Sequence, residues 1–271
     1  MPIPPPTGPL VTRDTVSAQL RLLGVETGEI LLVHASLSSL GWVNGGAVAV
    51  VQGLLDVLGP EGTLVVPAQS GDLSDPAVWG SPPVPEEWWE RIRATMPEYD
   101  PLITPSRGVG VIPETVRTWP GALRSAHPQT SFAALGARAA EIVEGHAPDC
   151  RLGERSPLAR LEERGARVLL LGAGYETCTG FHLAEYRIPA PLVRVGRPAP
   201  GGGWEAVTEV SISSDRFDEL GHDFERDRPV VRGKVGAADA RLFPVADAVA
   251  YAERWLALHR PREEEFPYPP A

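Results

Sequence analysis

Residues 167–187 read Arg167-Val-Leu-Leu-Leu-Gly-Ala-Gly-Tyr-Glu-Thr-Cys-Thr-Gly-Phe-His182-Leu-Ala-Glu-Tyr-Arg187. The opening run, Arg167 to Gly172, holds an unbroken apolar core, Val168 to Leu171, and is the clearest strand in the chain. A glycine-rich loop follows and leads into a short polar helix. Ligands of open α/β sheets bind outside the carboxyl ends of strands. His182 therefore stands where a substrate would meet the sheet, and an imidazole there accepts a proton near neutral pH. The same position also suits a histidine that merely caps a loop.

Working outward, the neighbouring segments repeat the strand–helix alternation. Thr15 to Leu23 predicts a helix stopped near Gly24. Ile30 to Val33 and Thr63 to Pro67 predict buried strands, and Ala47 to Leu58 a helix closed by Gly59-Pro60. Gly110 to Arg117 and Ala137 to Glu144 predict helices, with a strand over Ser131 to Leu135 between them. Ser156 to Arg164 predicts a helix with Ser156 as N-cap and Pro157 at its first position. The last third differs. Pro191 to Val195 and Trp204 to Ile212 alternate as antiparallel strands do, around a turn at Pro198 to Gly203. Helices are expected over Asp215 to Phe224 and Val245 to His259. Residues 1–13 form a proline-rich arm, residues 260–271 an exposed tail, and residues 69–106 a long excursion with little periodicity. Such an excursion inside a compact domain is characteristically a functional loop. The expected architecture is one α/β domain over residues 1–271, three-layer α/β/α with a central mixed sheet.

Composition narrows the function classes. The 271 residues are 43% hydrophobic, ordinary for a globular chain. No run of about 18 apolar residues occurs, so a membrane-spanning helix is not expected. The start, Met1-Pro-Ile-Pro-Pro-Pro, lacks the basic and apolar regions of a secretory signal, and a cytosolic location is expected. Cys150 and Cys178 make neither a metal-ligand spacing nor a disulfide framework. The net charge of −10 argues against a nucleic-acid partner. It fits both plain solubility and attraction of a cationic substrate.

Other stretches carry weaker chemical signals. His182 and Glu185 lie three apart and share a helix face, but no second pair completes a metal site. In His34-Ala-Ser-Leu-Ser-Ser-Leu-Gly41, small residues after a strand would let backbone N–H groups approach a phosphate or pantetheine chain. It is neither a Walker A loop nor a dinucleotide loop. Thr104-Pro-Ser-Arg-Gly-Val-Gly110 sets Arg107 among glycines, suited to an anion or to a simple surface turn. The Gly-x-Ser-x-Gly elbow of serine hydrolases is absent. Ser125-Ala-His127 is spaced wrongly for a nucleophile–base pair.

Taken in order, further motifs join these: Pro85-Glu-Glu-Trp-Trp89, Asp100-Pro-Leu-Ile-Thr-Pro-Ser-Arg-Gly108, Arg124-Ser-Ala-His-Pro128, Ser131-Phe-Ala-Ala134, Gly153-Glu-Arg-Ser-Pro157, Thr179-Gly-Phe-His-Leu-Ala-Glu185 and Asp223-Phe-Glu225. Their order and spacing resemble the aminoglycoside 3-N-acetyltransferase (antibiotic N-acetyltransferase) family from about Thr15 to Leu258. The resemblance implies a fold distinct from the common GNAT acetyltransferases, acetyl-CoA as cosubstrate, no metal, and direct transfer to an amine. It implies His182 as the base that deprotonates the amine, oriented by a carboxylate for which Glu225 is the expected residue. CoA contacts are expected from Ser36, Leu37, Ser38, Ser39, Gly41, Ser106, Arg107, Gly108, Val109, Ser131 and Phe132. Thr179 is expected to support the oxyanion.

An aminoglycoside carries several ammonium groups, so a cleft lined by Asp72, Asp100, Glu185, Asp223 and Glu225 is expected, with the Trp-bearing excursion as one wall. The acceptor remains open, because function lives in the site and not in the family name. One alternative is a biosynthetic amine that is not an aminoglycoside, and another is a CoA-binding protein without turnover. A small cationic amine is the expected partner, with the chain a monomer or homodimer.

Overall fold

The structure, a computed structural model, describes residues 8–260. Residues 1–7 of the expected arm and 261–271 of the expected tail lie outside that range. The elements run α1 (Arg13–Leu23), β1 (Ile30–Ala35), α2 (Gly46–Leu58), β2 (Thr63–Pro67), α3 (Trp89–Thr95), α4 (Val111–Arg117), β3 (Leu123–Arg124), β4 (Phe132–Gly136), α5 (Ala139–Val143), α6 (Pro157–Glu163), β5 (Arg167–Leu171), α7 (His182–Glu185), β6 (Leu192–Pro198), β7 (Trp204–Val210), α8 (Phe217–Asp227), β8 (Val231–Val235), β9 (Ala238–Pro244) and α9 (Val245–His259).

Seven strands make one mixed sheet in the order β3-β4-β2-β1-β5-β9-β8. The three central strands are parallel, β2 and β5 flanking β1, and antiparallel strands extend the sheet on both sides. This geometry follows from the side chains. β1, β2 and β5 are unbroken apolar runs, so both of their faces must be covered. Alternate residues supply two cores. Leu32, Val65, Val168 and Leu170 point to one, where residues of α5, α6, α7, α8 and α9 pack. Leu31, Val33, Leu64, Val66, Leu169 and Leu171 point to the other, against α1, α2 and α4. Burying each such side chain contributes about 1.5–3 kcal/mol. A one-residue slip of β5 would exchange its two faces, so register is strongly specified.

Local signals define the ends. Thr12 caps α1 by accepting the Thr15 N–H, and Gly24 closes it at a φ of 94°. Ser156 caps α6, with Pro157 at the first position as the spacing predicts. The helices α1 and α2 approach closely at Gly53, where a Cβ would sit 2.8 Å from Val16 Cγ1.

At four places the structure adds to these expectations or shifts them. β6 and β7 pair with one another but form a separate two-stranded sheet. The hairpin β8–β9 fills the sheet edge instead, from a stretch whose charged, glycine-broken sequence predicts no strand. The helix expected over Asp215 to Phe224 starts at Phe217 and runs on to Asp227. The excursion 69–106 carries α3 and two 3-10 turns; Arg93, whose guanidinium grips Asp75, braces it internally, and Tyr99 OH, donating to Ser125 O at 2.7 Å, ties it to the body of the fold.

Candidate functional site

The chain folds its two glycine-rich strand ends against each other. The loop after β1 returns as a 3-10 turn, Leu37–Leu40. Ser36 N–H donates to Leu171 O at 3.0 Å, and Ser39 Oγ lies 3.0 Å from Gly172 O. Only glycine fits at 172. Its φ is 65°, and a Cβ there would stand 2.5 Å from Ser39 Cβ. The loop 172–179 is thereby held beside residues 36–41 at the carboxyl ends of adjacent parallel strands.

Between them opens a cleft of about 970 Å³. One side is built from Ser36, Leu37, Ser38, Gly41, Gly108 and Val109, with Trp42 and Val111 at hand; the other carries Gly172 to Gly174, Glu176, Thr179, His182 and Ser214. Small residues and exposed backbone on one wall suit a thin, amide-bearing chain, while the opposite wall holds the titratable groups.

His182 opens α7. Its Nδ1 lies 2.5 Å from Glu185 Oε2, one helical turn on. That partner assigns the proton to Nδ1 and leaves Nε2 with its lone pair. Phe217 packs on the imidazole, with ring centroids 4.7 Å apart. Glu185 is fully buried. Its other oxygen accepts the Ser213 N–H at 2.9 Å and pairs with the Arg260 guanidinium. Burial pushes this carboxyl up. The His182 hydrogen bond and charge, the Ser213 N–H and Arg260 outweigh it and hold the group below the usual carboxylate range.

His34, on β1, reaches the same cleft, with Nε2 3.4 Å from Thr179 Oγ1. Burial, followed by the nearby His182, pushes it down to about 3. It is therefore a neutral imidazole at working pH, able to exchange a hydrogen bond with the Thr179 hydroxyl.

Of the residues expected at the site, the cleft brings together Ser36, Leu37, Ser38, Gly41, Gly108, Val109, Thr179 and His182. Several others stand elsewhere. Glu225, expected to orient His182, instead meets Tyr175 OH at 3.2 Å, Arg241 at 3.1 Å and Arg232 at 2.9 Å. Glu185, expected to bind substrate, takes the orienting position because one turn of helix carries it under the imidazole. Asp72 pairs with Arg107 at 2.7 Å, both exposed outside the cleft lining. Asp100 accepts the Leu102 N–H in a turn, and Asp223 accepts from Trp255 Nε1 at 2.8 Å across α8 and α9. Ser106 is held by Glu114. Ser39 is spent on the contact with the 172 loop and lines only a small adjoining hollow. Ser131 donates to Ala68 O, and Phe132 is a core residue, both behind β2.

Three cleft or support residues carry no sequence signal of their own: Trp42, Ser214 and Arg260. Glu176 sits in the quoted loop and was legible only as its one acidic residue. Among the described residues, no group of three His, Cys, Asp or Glu converges as metal ligands do, and no helix is long and apolar enough to cross a membrane.

The comparisons with known proteins agree with one another. The family model described as "Aminoglycoside 3-N-acetyltransferase" matches residues 32–257. The SPbeta prophage-derived aminoglycoside N(3')-acetyltransferase-like protein YokD of Bacillus subtilis is 47% identical over 254 residues, covering 90% of this chain and 92% of that protein. Its crystal structure superposes with a TM-score of 0.92, at 45% identity over 95% of this chain and 97% of that one. Aminoglycoside N(3)-acetyltransferase VIII of Streptomyces fradiae is 37% identical, covering 91% of this chain and 92% of its own. A solved binary complex of AAC-IIIb with CoASH superposes with a TM-score of 0.78, at 34% identity over 92% of this chain and 97% of that one.

Proposed function

This chain belongs to the aminoglycoside 3-N-acetyltransferase family, and from that premise we propose that it moves an acetyl group from acetyl-CoA to the 3-amino group of an aminoglycoside's 2-deoxystreptamine ring, conferring resistance. The observation that carries the reading is the His182–Glu185 pair, with Nε2 free at the wall of a cleft whose other wall is small and backbone-rich. Relatives named for aminoglycoside acetylation, and one solved with CoASH, support the same assignment.

The residues fit the donor. Ser36, Leu37, Ser38, Gly41, Gly108 and Val109 offer backbone and short side chains to a pantetheine arm. On the other wall, His182 Nε2 takes the proton that the acceptor's ammonium must shed before its nitrogen attacks the thioester. Glu185 orients the imidazole and stabilises the imidazolium that forms. Thr179, held by neutral His34, donates toward the oxygen that gains charge. Transfer is direct, no cysteine or serine being asked to carry the acetyl group. The same proposal includes one domain over the whole chain, a three-layer α/β/α arrangement distinct from GNAT enzymes and supported by the two core clusters, a cytosolic site of action, and a monomer or homodimer.

Release of CoA thiol tests it. With acetyl-CoA and a panel of 2-deoxystreptamine drugs, the parent is expected to release one thiol per acetylated product. His182→Ala is expected to lose about 10²–10⁴-fold in rate with its circular dichroism intact. Absence of thiol release with every aminoglycoside would sink the drug assignment.

One observation favours a second reading. Glu176 is the one carboxylate on the lining, while Asp72, Asp100, Asp223 and Glu225 are engaged elsewhere. So sparse a negative wall suits an amine of lower charge than an aminoglycoside. Under that reading the chemistry stays and the acceptor is a biosynthetic amine, and turnover of a monoamine above that of any aminoglycoside would select it. Tight CoA binding with no turnover of any amine would leave a binding protein.

A further inference from the structure

Glu185 is gripped from three parts of the chain. His182, on its own helix, meets Oε2; the Ser213 N–H and the Arg260 guanidinium share Oε1. Arg260 directly follows α9, where its N–H closes the helix on Leu256 O. Its second arm, Nη2, donates to Ser213 O at 2.7 Å. The carboxylate, the main chain of Ser213 (its N–H and its C=O) and the guanidinium thus form a closed ring, and the next residue, Ser214, lines the cleft.

The charges along this line alternate: imidazole, carboxylate, guanidinium. An uncompensated carboxylate hydrogen-bonded to an imidazole favours the protonated ring. A base already carrying its proton cannot take another. The other groups around His182 are His34 from β1, which burial keeps neutral, the Thr179 hydroxyl, the Phe217 ring from α8 and Glu176 on the same wall of the cleft. Of these and Arg260, Arg260 alone brings positive charge.

We propose that Arg260 is a positioning residue of the transfer site: by neutralising Glu185, it lets the carboxylate orient His182 without fixing a proton on it. The inference rests on the acetyl-transfer reading for its purpose, though not for its test. Arg260 is not among the residues lining the cleft and acts through Glu185. It also joins the end of the last helix to the base, so the far C-terminal part of the fold helps set the protonation of a residue near position 180.

Nuclear magnetic resonance of ring-labelled histidine tests this directly, with the His182 signal identified by its loss in His182→Asn. In Arg260→Gln, the His182 titration midpoint is expected to move up, because the carboxylate then faces the imidazole without its counter-charge. The acidic limb of kcat/KM is expected to move with it. Arg260→Lys keeps the charge while losing the fork, and a clearly smaller shift is expected. An unmoved midpoint in Arg260→Gln would overturn the proposal, as would equal shifts in both variants. Loss of the fold in Arg260→Gln would also overturn it, by making the arginine a clamp for α9. If no variant and no parent releases thiol, acetyl transfer fails, and the titration still decides the role of Arg260.

Discussion

At the scale of single residues, the division of labour between Glu185 and Glu225 is the sharpest result. Glu225 was the carboxylate expected to steady His182 and Glu185 one expected to bind substrate, and the geometry sets Glu185, not Glu225, at the imidazole. Glu185 Oε2 lies 2.5 Å from Nδ1, whereas Glu225 serves Tyr175, Arg232 and Arg241. Glu185→Gln keeps the shape and removes the charge that stabilises the imidazolium, so a fall in kcat of about 10²-fold or more is expected in the thiol assay. Glu225→Gln is expected to leave kcat near the parent value and to lower thermal stability, because two arginines lose their counter-charge. A larger kcat loss in Glu225→Gln than in Glu185→Gln would reverse the assignment. The 36–41 stretch was only weakly legible, as small residues after a strand that also suit a capped turn, and residues 108–109 were singled out through the family resemblance. The acidic wall was not legible. An acid's side chain can turn to a local arginine or a turn N–H, as Asp72 and Asp100 do, and spacing alone does not say which.

At the scale of elements, β1, α2, β2, α6, β5 and α9 were readable to within a residue or two, since long apolar runs and capping residues are local signals. The β8–β9 hairpin was not. Its strands carry Arg232, Lys234, Asp239 and Arg241, and what makes them strands is pairing: β9 with β5, and β8 with β9. The crossing of α1 and α2 yields a test of packing. Gly53→Ala gains helix propensity worth up to about 1 kcal/mol but drives a Cβ against Val16 Cγ1 at 2.8 Å and toward Arg13 O at 3.1 Å. Net destabilisation of about 1–2 kcal/mol is expected in urea unfolding. Val16→Ala in the same chain should recover part of it, and strict additivity of the two changes would contradict the contact.

At the scale of the whole molecule, pH is the informative variable. Three buried histidines are held neutral: His34 down to about 3, His127 to about 2 and His146 to about 4, burial being the largest cause in each. The Arg197 and Arg151 guanidiniums, and His146 once it gains a proton, push His127 further. Their folded values lie below the unfolded one near 6.5, so the unfolded chain binds the extra protons. Stability from these groups is present above that value and is lost as pH falls through 6 and 5. With three such groups the slope approaches about 4 kcal/mol per pH unit near pH 5. Glu185, held low, adds to the loss at lower pH, while Glu29 and Glu209, which burial raises, oppose it. Urea midpoints that stay level between pH 7 and 5 would contradict this account.

The information carried along the chain is local and periodic. Apolar runs of strand length set a mixed α/β sheet, and glycines at strand ends marked where a cleft opens. His182 stood at such an end, within an order of motifs that also marked the family. What only the tertiary structure decided is long-range: the pairing of β9 with β5, the separate β6–β7 sheet, the burial of His34 and the ring that joins Glu185 to Arg260. Helical spacing says that residues 182 and 185 share a face, but not that a guanidinium 75 positions later neutralises the second. That contact exists because α9 packs back on the sheet, and packing of a whole chain is not written in any one stretch of it.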